Sequence, residues 1–155
     1  MHKINIVAVG NLKEKYLKEA SGEYLKRLGR FASVEIHEVP EFLTSSKTSI
    51  NQTKEAECTE LAKKLNGYVV AMDKSGEMLS SEELAKFLEK TYLDGARSIS
   101  FVIGGSNGLT DDFLKKANKV ISFGKITYPH QLMRVVLLEQ IYRAETIINN
   151  ISYHK

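Results

Sequence analysis

Stretches with strand-like and helix-like periodicity alternate along the whole sequence, and this alternation allows few folds. The apolar patterns predict five strands, at residues 3–9, 33–39, 67–73, 98–103 and 119–123. They predict five helices, at residues 13–29, 49–65, 81–94, 110–116 and 129–149. Strands that alternate with helices form mostly parallel sheets with helices on both faces. The sequence therefore predicts an α/β fold.

Local signals support several of these boundaries. Ser80 and Glu83 form a capping-box pattern, Thr110 precedes an acidic helix start, and Asn66-Gly67 is typical of a helix end. The Ser- and Thr-rich residues 44–49 predict a mobile loop.

Length and composition predict one ordinary globular domain that spans residues 1–155. Hydrophobic residues make up 43% of the chain and charged residues 26%, which excludes a disordered or fibrous protein. The formal net charge of +3 permits a polyanionic partner such as RNA without requiring one.

Two classes of site are disfavoured. Cys58 is the single cysteine and the four histidines are scattered, so we expect neither an internal disulfide nor a metal site. No apolar run approaches the roughly 20 residues that cross a bilayer, and the first residues do not resemble a secretion signal. We therefore expect a cytoplasmic protein without a membrane partner.

Two neighbouring segments predict a ligand site. A strand-like run enters the glycine-rich loop of Phe101–Leu109, and Thr127–Arg134 leads through Pro129 into a long apolar helix. Glycines permit close approach of backbone to a ligand, and Pro sets a sharp entry into a helix. Open α/β sheets bind ligands in the crevice at the ends of neighbouring strands.

The glycine loop also fits other interpretations. Gly104 to Gly108 satisfies the G-x-S-x-G pattern of a hydrolase nucleophile elbow, with Ser106 as nucleophile and His130 as a possible base. A dinucleotide fingerprint fits worse because the glycine spacing differs, and no Walker loop is present. A glycine-rich turn that only connects strand to helix is the simplest alternative.

The helix predicted at residues 129–149 is apolar on more than one face of its first half. It is either central to its own fold or, as we favour, packed against a partner subunit in a two-fold dimer. Arg134, Glu139 and Arg143 recur on it at near-helical spacing. Glu139 and Arg143 are spaced for an ion pair, and the arginines are alternatively placed for phosphate contacts.

These motifs together resemble those of the ribosomal RNA large subunit methyltransferase H family of the SPOUT class. The resemblance is carried by residues 103–109, 122–130 and 134–144 and by the closing Tyr153-His154-Lys155. It extends over the full length, since residues 7–10, 24–28 and 38–40 also fit.

The resemblance implies a mostly parallel sheet with a C-terminal trefoil knot, in a protein that acts as a homodimer. It implies an S-adenosylmethionine-dependent methyltransferase that methylates N3 of a pseudouridine in 23S ribosomal RNA on the assembled ribosome. A ribosome-binding factor without catalysis is the alternative. The implied cofactor-binding residues are Met72, Gly104, Phe123, Gly124, Lys125, Ile126, Thr127 and Tyr128.

Methyl transfer to a ring nitrogen mainly requires alignment and a group that manages the N3 proton. Candidates for these catalytic roles are His130, Arg143, Tyr153 and His154. The family usually has Pro before the terminal Tyr-His pair, whereas this chain has Ser152, which leaves the segment more conformational freedom. Basic residues suited to contact RNA are Lys13, Lys15, Lys18, Lys26, Arg27 and Arg30.

Overall fold

The computed structural model describes all residues, Met1–Lys155. The strands are β1 (His2–Val9), β2 (Ala32–Val39), β3 (Tyr68–Met78), β4 (Ser98–Ile103) and β5 (Lys119–Ser122). The helices are α1 (Lys15–Leu28), α2 (Ile50–Ala62), α3 (Ser81–Leu93), α4 (Asp111–Lys116) and α5 (His130–Ile148). The ten predicted elements are thus confirmed in type and order.

The five strands form one fully parallel sheet in the order β2-β1-β4-β3-β5. One apolar cluster joins the first face of the sheet to α1, α3 and α5, through residues such as Leu28, Leu88 and Leu137. A second cluster joins the opposite face to α2 and α4, through residues such as Leu61 and Phe113. The predicted α/β fold with helices on both faces is confirmed, and the C-terminal knot stays a prediction.

Strand β3 runs five residues beyond its predicted end. Its pairing with β5 shifts register between Met72 and Glu77, so that the strand bulges and then resumes. A β-carbon on Gly76 would lie 2.7 Å from backbone atoms of Val120 and Ile121, so only glycine fits this crossing. The bulge leaves Asp73 and Lys74 free to line a cavity described below.

Helix α2 ends at Ala62, earlier than predicted, although Gly67 does have a positive φ of 73°. The chain has already left the helix at Asn66, whose amide and carbonyl both bond the Ser100 hydroxyl at 2.9 and 2.7 Å. The predicted helix end at Asn66-Gly67 was therefore wrong, because contacts with β4 fix this turn.

Side-chain caps start three of the helices. The predicted capping box of Ser80 and Glu83 is present at α3, and Thr110 caps α4 as expected. Ser49 and Gln52 form a second, unpredicted box at α2. These caps satisfy amide groups that a helix N-terminus otherwise leaves without partners.

Helix α5 packs between α1 and α3. Leu137, Leu138 and Ile141 are fully buried, whereas Leu132 in the first turn is 38% exposed. Arg134 is also buried and bonds the Gly10 carbonyl and the Glu38 carboxylate. Arg134 therefore anchors α5 to the ends of β1 and β2, and the interpretation that it meets a phosphate was wrong. No helix is long and apolar enough to cross a membrane.

Candidate functional site

A cavity of about 330 Å³ lies at the carboxyl ends of β3, β4 and β5. We call it the strand-end cavity. Its walls come from three loops that the sheet order places side by side. It is lined by Met72–Lys74, Ile103–Gly108, Ile121–Gly124, Ile126–Tyr128, His130 and Met133. Its position is the one at which open parallel sheets bind their ligands.

The glycine loop, Gly104–Gly108, is closed on itself. The Gly108 amide donates to the Gly105 carbonyl at 3.0 Å, and Gly108 has a φ of 80°. A β-carbon on Gly104 would lie 2.8 Å from the Gly108 carbonyl carbon. Any side chain at Gly104 would therefore force the loop open, which explains the glycine at this position.

The opposite wall is a second tight turn. The Ser122 hydroxyl bonds both the amide and the carbonyl of Gly124 at 3.1 Å, and Gly124 has a φ of 105°. Met72, Phe123 and Met133 add apolar surface. Backbone groups beside apolar side chains suit a flat heterocyclic ring, which stacks on the latter and pairs with the former.

Asp73 and Lys74 add a pair of charged side chains to the cavity wall. Asp73 Oδ2 accepts bonds from the Ser75 amide at 2.9 Å and the Ser75 hydroxyl at 2.5 Å. Lys74 donates to the Thr127 hydroxyl. This carboxylate and ammonium are placed to meet charged or hydroxyl groups of a ligand whose ring occupies the apolar side.

The cavity brings together most of the residues predicted to bind a cofactor. Its lining includes Met72, Gly104, Phe123, Gly124, Ile126, Thr127 and Tyr128, together with His130. Lys125 is exposed and does not line it. Sequence reasoning missed Asp73 and Lys74, whose positions at the predicted end of β3 were the available signal, whereas Asn107 and Met133 lie within the two segments predicted to form the ligand site.

The other predicted catalytic residues, Arg143, Tyr153 and His154, lie together with Glu82 and Glu139. We call these five residues the C-terminal cluster. Glu139 Oε1 accepts from Arg143 Nη2 at 2.6 Å, from Arg143 Nε at 3.0 Å and from the Tyr153 hydroxyl at 3.0 Å. The predicted Glu139–Arg143 ion pair is confirmed. The Arg143 guanidinium lies 4.7 Å from the Tyr153 ring centre. Arg143 therefore holds Tyr153 through this contact and through their shared partner Glu139.

His154 lies between a cation and an anion. Its Nδ1 is 3.1 Å from Arg143 Nη1, and its Nε2 is 2.6 Å from Glu82 Oε1. Arginine can only donate, so Nδ1 accepts and Nε2–H donates to Glu82. The contacts thus favour neutral His154 with its proton on Nε2.

The cluster also changes proton affinities. Burial, followed by the bond to Glu139, raises the pKa of Tyr153 to about 12, so its hydroxyl stays protonated near neutrality. The hydrogen bond from His154 lowers the pKa of Glu82. Tyr153 therefore acts here as a donor and not as a base.

A depression of about 350 Å³ adjoins the strand-end cavity. It shares Ser122, Phe123, Gly124 and Tyr128 with the strand-end cavity. Gln140, on its other side, donates to Glu139 Oε2 at 2.7 Å. Arg143, Tyr153 and His154 line neither the cavity nor this depression, and Gln140 is the contact between the depression and the C-terminal cluster.

Other kinds of site find no support. Ser106 and His130 line the same cavity without a hydrogen bond between them, and no carboxylate orients His130 as a hydrolase triad requires. A larger groove of about 720 Å³ between α2 and α4 contains none of the predicted site residues, and its Cys58 is bonded by Thr110. No group of three or more His, Cys, Asp or Glu side chains is arranged to hold a metal.

A parallel α/β sheet with a tight, glycine-walled cavity at its strand ends defines a small-ligand-binding α/β protein of the class that includes nucleotide-cofactor enzymes. The sequence model of a family described as predicted SPOUT methyltransferase matches residues 2–154. The chain belongs to the SPOUT methyltransferase family and is an enzyme of that family.

Individual relatives agree with this assignment. The chain is 48% identical to the ribosomal RNA large subunit methyltransferase H of Enterococcus faecalis, over 99% of both chains. Its fold is similar to that of a probable methyltransferase from Bordetella pertussis, with a TM-score of 0.61 and 12% identity over 93% of this chain and 96% of the other. A putative methyltransferase from Legionella pneumophila, solved with bound SAM, has a TM-score of 0.53 and 9% identity over 92% of this chain and 66% of its own length.

Proposed function

We propose that this protein is an S-adenosylmethionine-dependent methyltransferase that methylates N3 of a pseudouridine in 23S ribosomal RNA on the assembled ribosome. The observation that carries the proposal is the convergence of the glycine loop and residues 123–128 on one cavity, in a chain 48% identical to a large-subunit methyltransferase H along nearly its whole length.

The strand-end cavity fits this cofactor. Its volume of about 330 Å³ and its mixture of apolar side chains and backbone groups suit an adenosine moiety. Gly104 keeps one wall thin, while Asp73 offers a carboxylate to the ribose hydroxyls or the amino group. When bound, S-adenosylmethionine supplies an electrophilic methyl group.

The depression beside the cavity is the proposed place for the target base. It opens next to Phe123 and Tyr128 and extends towards Gln140, so a base there lies between the cavity and the C-terminal cluster. Methyl transfer forms an N–C bond at N3, breaks the S–CH3 bond of the cofactor and leaves S-adenosylhomocysteine, and the N3 proton passes to a base. His130 is the titratable imidazole on the cavity wall, and we assign it this role.

We assign orientation of the RNA to the C-terminal cluster. The hydrogen bond to Glu139 raises the pKa of Arg143, so its guanidinium stays charged, and we assign it the role of attracting a phosphate or carbonyl oxygen. Tyr153 and His154 lie against it and move with the same segment. In this arrangement Lys125, exposed on the loop, faces solvent and RNA.

We further propose a single domain of residues 1–155 that carries the C-terminal knot and acts as a cytoplasmic homodimer. Both apolar clusters pack on the same sheet, which supports one domain. Ile126, in the loop before α5, and Leu132, in the first turn of α5, are 72% and 38% exposed and would be covered by a second subunit. The exposed Lys13, Lys18, Lys26 and Arg30 around α1 supply positive charge for ribosomal RNA.

Transfer of labelled methyl groups to ribosomes tests the proposal. Ribosomes from a strain that lacks this methylation are incubated with the protein and labelled S-adenosylmethionine, and the 23S RNA is digested to nucleosides. We expect the label in 3-methylpseudouridine, with much less transfer to free 23S RNA. Label in another nucleoside, or none with the folded protein, would contradict the proposal.

A further inference from the structure

Glu57 is a buried carboxylate behind the glycine loop that the proposed reaction does not use. It lies on α2, on the face that packs against the sheet, and only 2% of the residue is exposed. Its Oε2 accepts the Phe42 amide at 3.1 Å, while its Oε1 has no hydrogen-bond partner. A buried carboxylate oxygen without a partner is costly, so its retention requires an explanation.

The unpartnered oxygen lies beside Gly105 of the glycine loop. The position of a β-carbon on Gly105 lies 2.9 Å from Glu57 Oε1, and Gly105 itself lines the cavity. Only the backbone of one glycine therefore separates this carboxylate from a ligand in the cavity. A larger residue at 105 would displace either the carboxylate or the loop.

Glu57 also joins the glycine loop to the segment that follows β2. Through the Phe42 amide it holds residues 41–44, and Thr44 in that segment accepts a bond from Asn107 at 3.4 Å. The Asn107 amide thus joins the two segments directly, while Glu57 bonds the segment after β2 and lies beside Gly105 of the loop. This arrangement makes Glu57 part of the support of the loop.

We propose that Glu57 is a positioning residue that supports the glycine loop and makes the strand-end cavity favour the positively charged methyl donor over its uncharged thioether product. The inference rests on the proposed cofactor site. S-adenosylmethionine carries a sulfonium charge that S-adenosylhomocysteine lacks, and the two ligands otherwise match closely. A buried carboxylate behind the cavity wall attracts that charge, and we expect it to favour the charged ligand by about tenfold.

The surroundings of Glu57 leave its charge uncompensated. β1 contributes apolar Val9, the glycine loop contributes Gly105, and the segment after β2 contributes the Phe42 amide and the Glu41 carboxylate. Burial raises the pKa of Glu57, the Phe42 amide lowers it, and Glu41 raises it further. A cation that binds in the cavity stabilises the ionised form, so its binding releases protons.

The test is calorimetric titration of the full-length protein with S-adenosylmethionine and S-adenosylhomocysteine between pH 5 and 8. Wild type, Glu57→Gln and the control Glu55→Gln, an exposed carboxylate on the same helix, are compared. We expect wild type to prefer the charged ligand more strongly as the pH rises. At pH 8 this preference should be about tenfold smaller in Glu57→Gln and unchanged in the control. The affinity for S-adenosylhomocysteine should change less than threefold.

A second readout needs no variant. Titrations of wild type in buffers of different ionisation enthalpy should show proton release with S-adenosylmethionine and none with S-adenosylhomocysteine. The inference is overturned if wild type and Glu57→Gln show the same preference between the two ligands, and if both ligands cause the same proton release on binding to wild type. If the charged ligand binds with unchanged affinity when Gly104 is replaced by Val, the proposed cofactor site itself fails, and this outcome is distinct from the first.

Discussion

The strand-end cavity and the C-terminal cluster are built in different ways. The cavity is formed by two tight loops in which Gly104, Gly108 and Gly124 permit conformations and contacts that side chains would prevent. The cluster consists of charged and aromatic side chains, with Glu139 bonded to both Arg143 and Tyr153. We infer that shape governs binding in the cavity, whereas charge and proton position govern the cluster.

This difference separates two steps of the proposed reaction. Variants of the cavity should change the affinity for the cofactor. Variants of the cluster should change methyl transfer to RNA while the affinity for the cofactor stays the same, because none of its members lines the cavity.

The largest effect in the cluster is expected for Arg143→Met, which keeps much of the side-chain length but removes the charge. Loss of a positioned charged donor reduces transfer by about 100-fold. Single-turnover transfer to ribosomes at saturating cofactor measures this rate. The dissociation constant of S-adenosylmethionine should stay within twofold of wild type, and a parallel loss of affinity would show that the two regions are not separate.

A smaller loss is expected for Glu139→Gln. Gln retains the size of Glu139 and one acceptor oxygen, but it removes the charge that binds Arg143 and orients Tyr153. Misplacement of these groups should slow transfer by about tenfold. Glu89→Gln, an exposed carboxylate on α3, serves as the control and should transfer at the wild-type rate. Equal rates for both variants would mean that Glu139 does not position the cluster.

The smallest effect concerns proton affinity. The pKa of Glu82 is lowered by its bond from His154, so this contact stabilises the folded protein above the ordinary glutamate range and is lost as the pH falls through the lowered value. In His154→Ala the pKa of Glu82 should rise towards its ordinary value. Carbon-13 NMR titration of the Glu82 carboxyl group measures the shift; an unchanged titration would show that His154 does not dock there in solution.

Much of the fold could be predicted because the local and global signals agree. Alternating apolar residues marked β1 and β4, and Ser80 with Glu83 marked the start of α3. The extension of β3 was missed because it depends on Gly76 crossing the backbone of β5, a contact between distant segments. Similarly, α2 ends earlier than predicted, and the chain at Asn66 is held instead by a bond to Ser100 on β4.

The two regions of the site differ in the same respect. The glycines predicted the cavity, because their spacing beside a strand end is a signal that can be read from neighbouring residues alone. The partners of the C-terminal cluster had no such signal: Glu82 comes from α3 and is 72 residues from His154. Glu57 was also missed, because a single glutamate in a helix does not show that the fold will bury it behind Gly105.

Calorimetric titration of Gly104→Val with S-adenosylmethionine asks whether the cavity at the glycine loop binds this cofactor. The control is Gly22→Val, at an exposed position of α1 where an added β-carbon meets no atom within 4 Å. We expect saturable binding by wild type and the control, and a loss of at least about 100-fold in affinity for Gly104→Val in a protein that remains folded by circular dichroism. Wild-type affinity in folded Gly104→Val would contradict binding at this cavity.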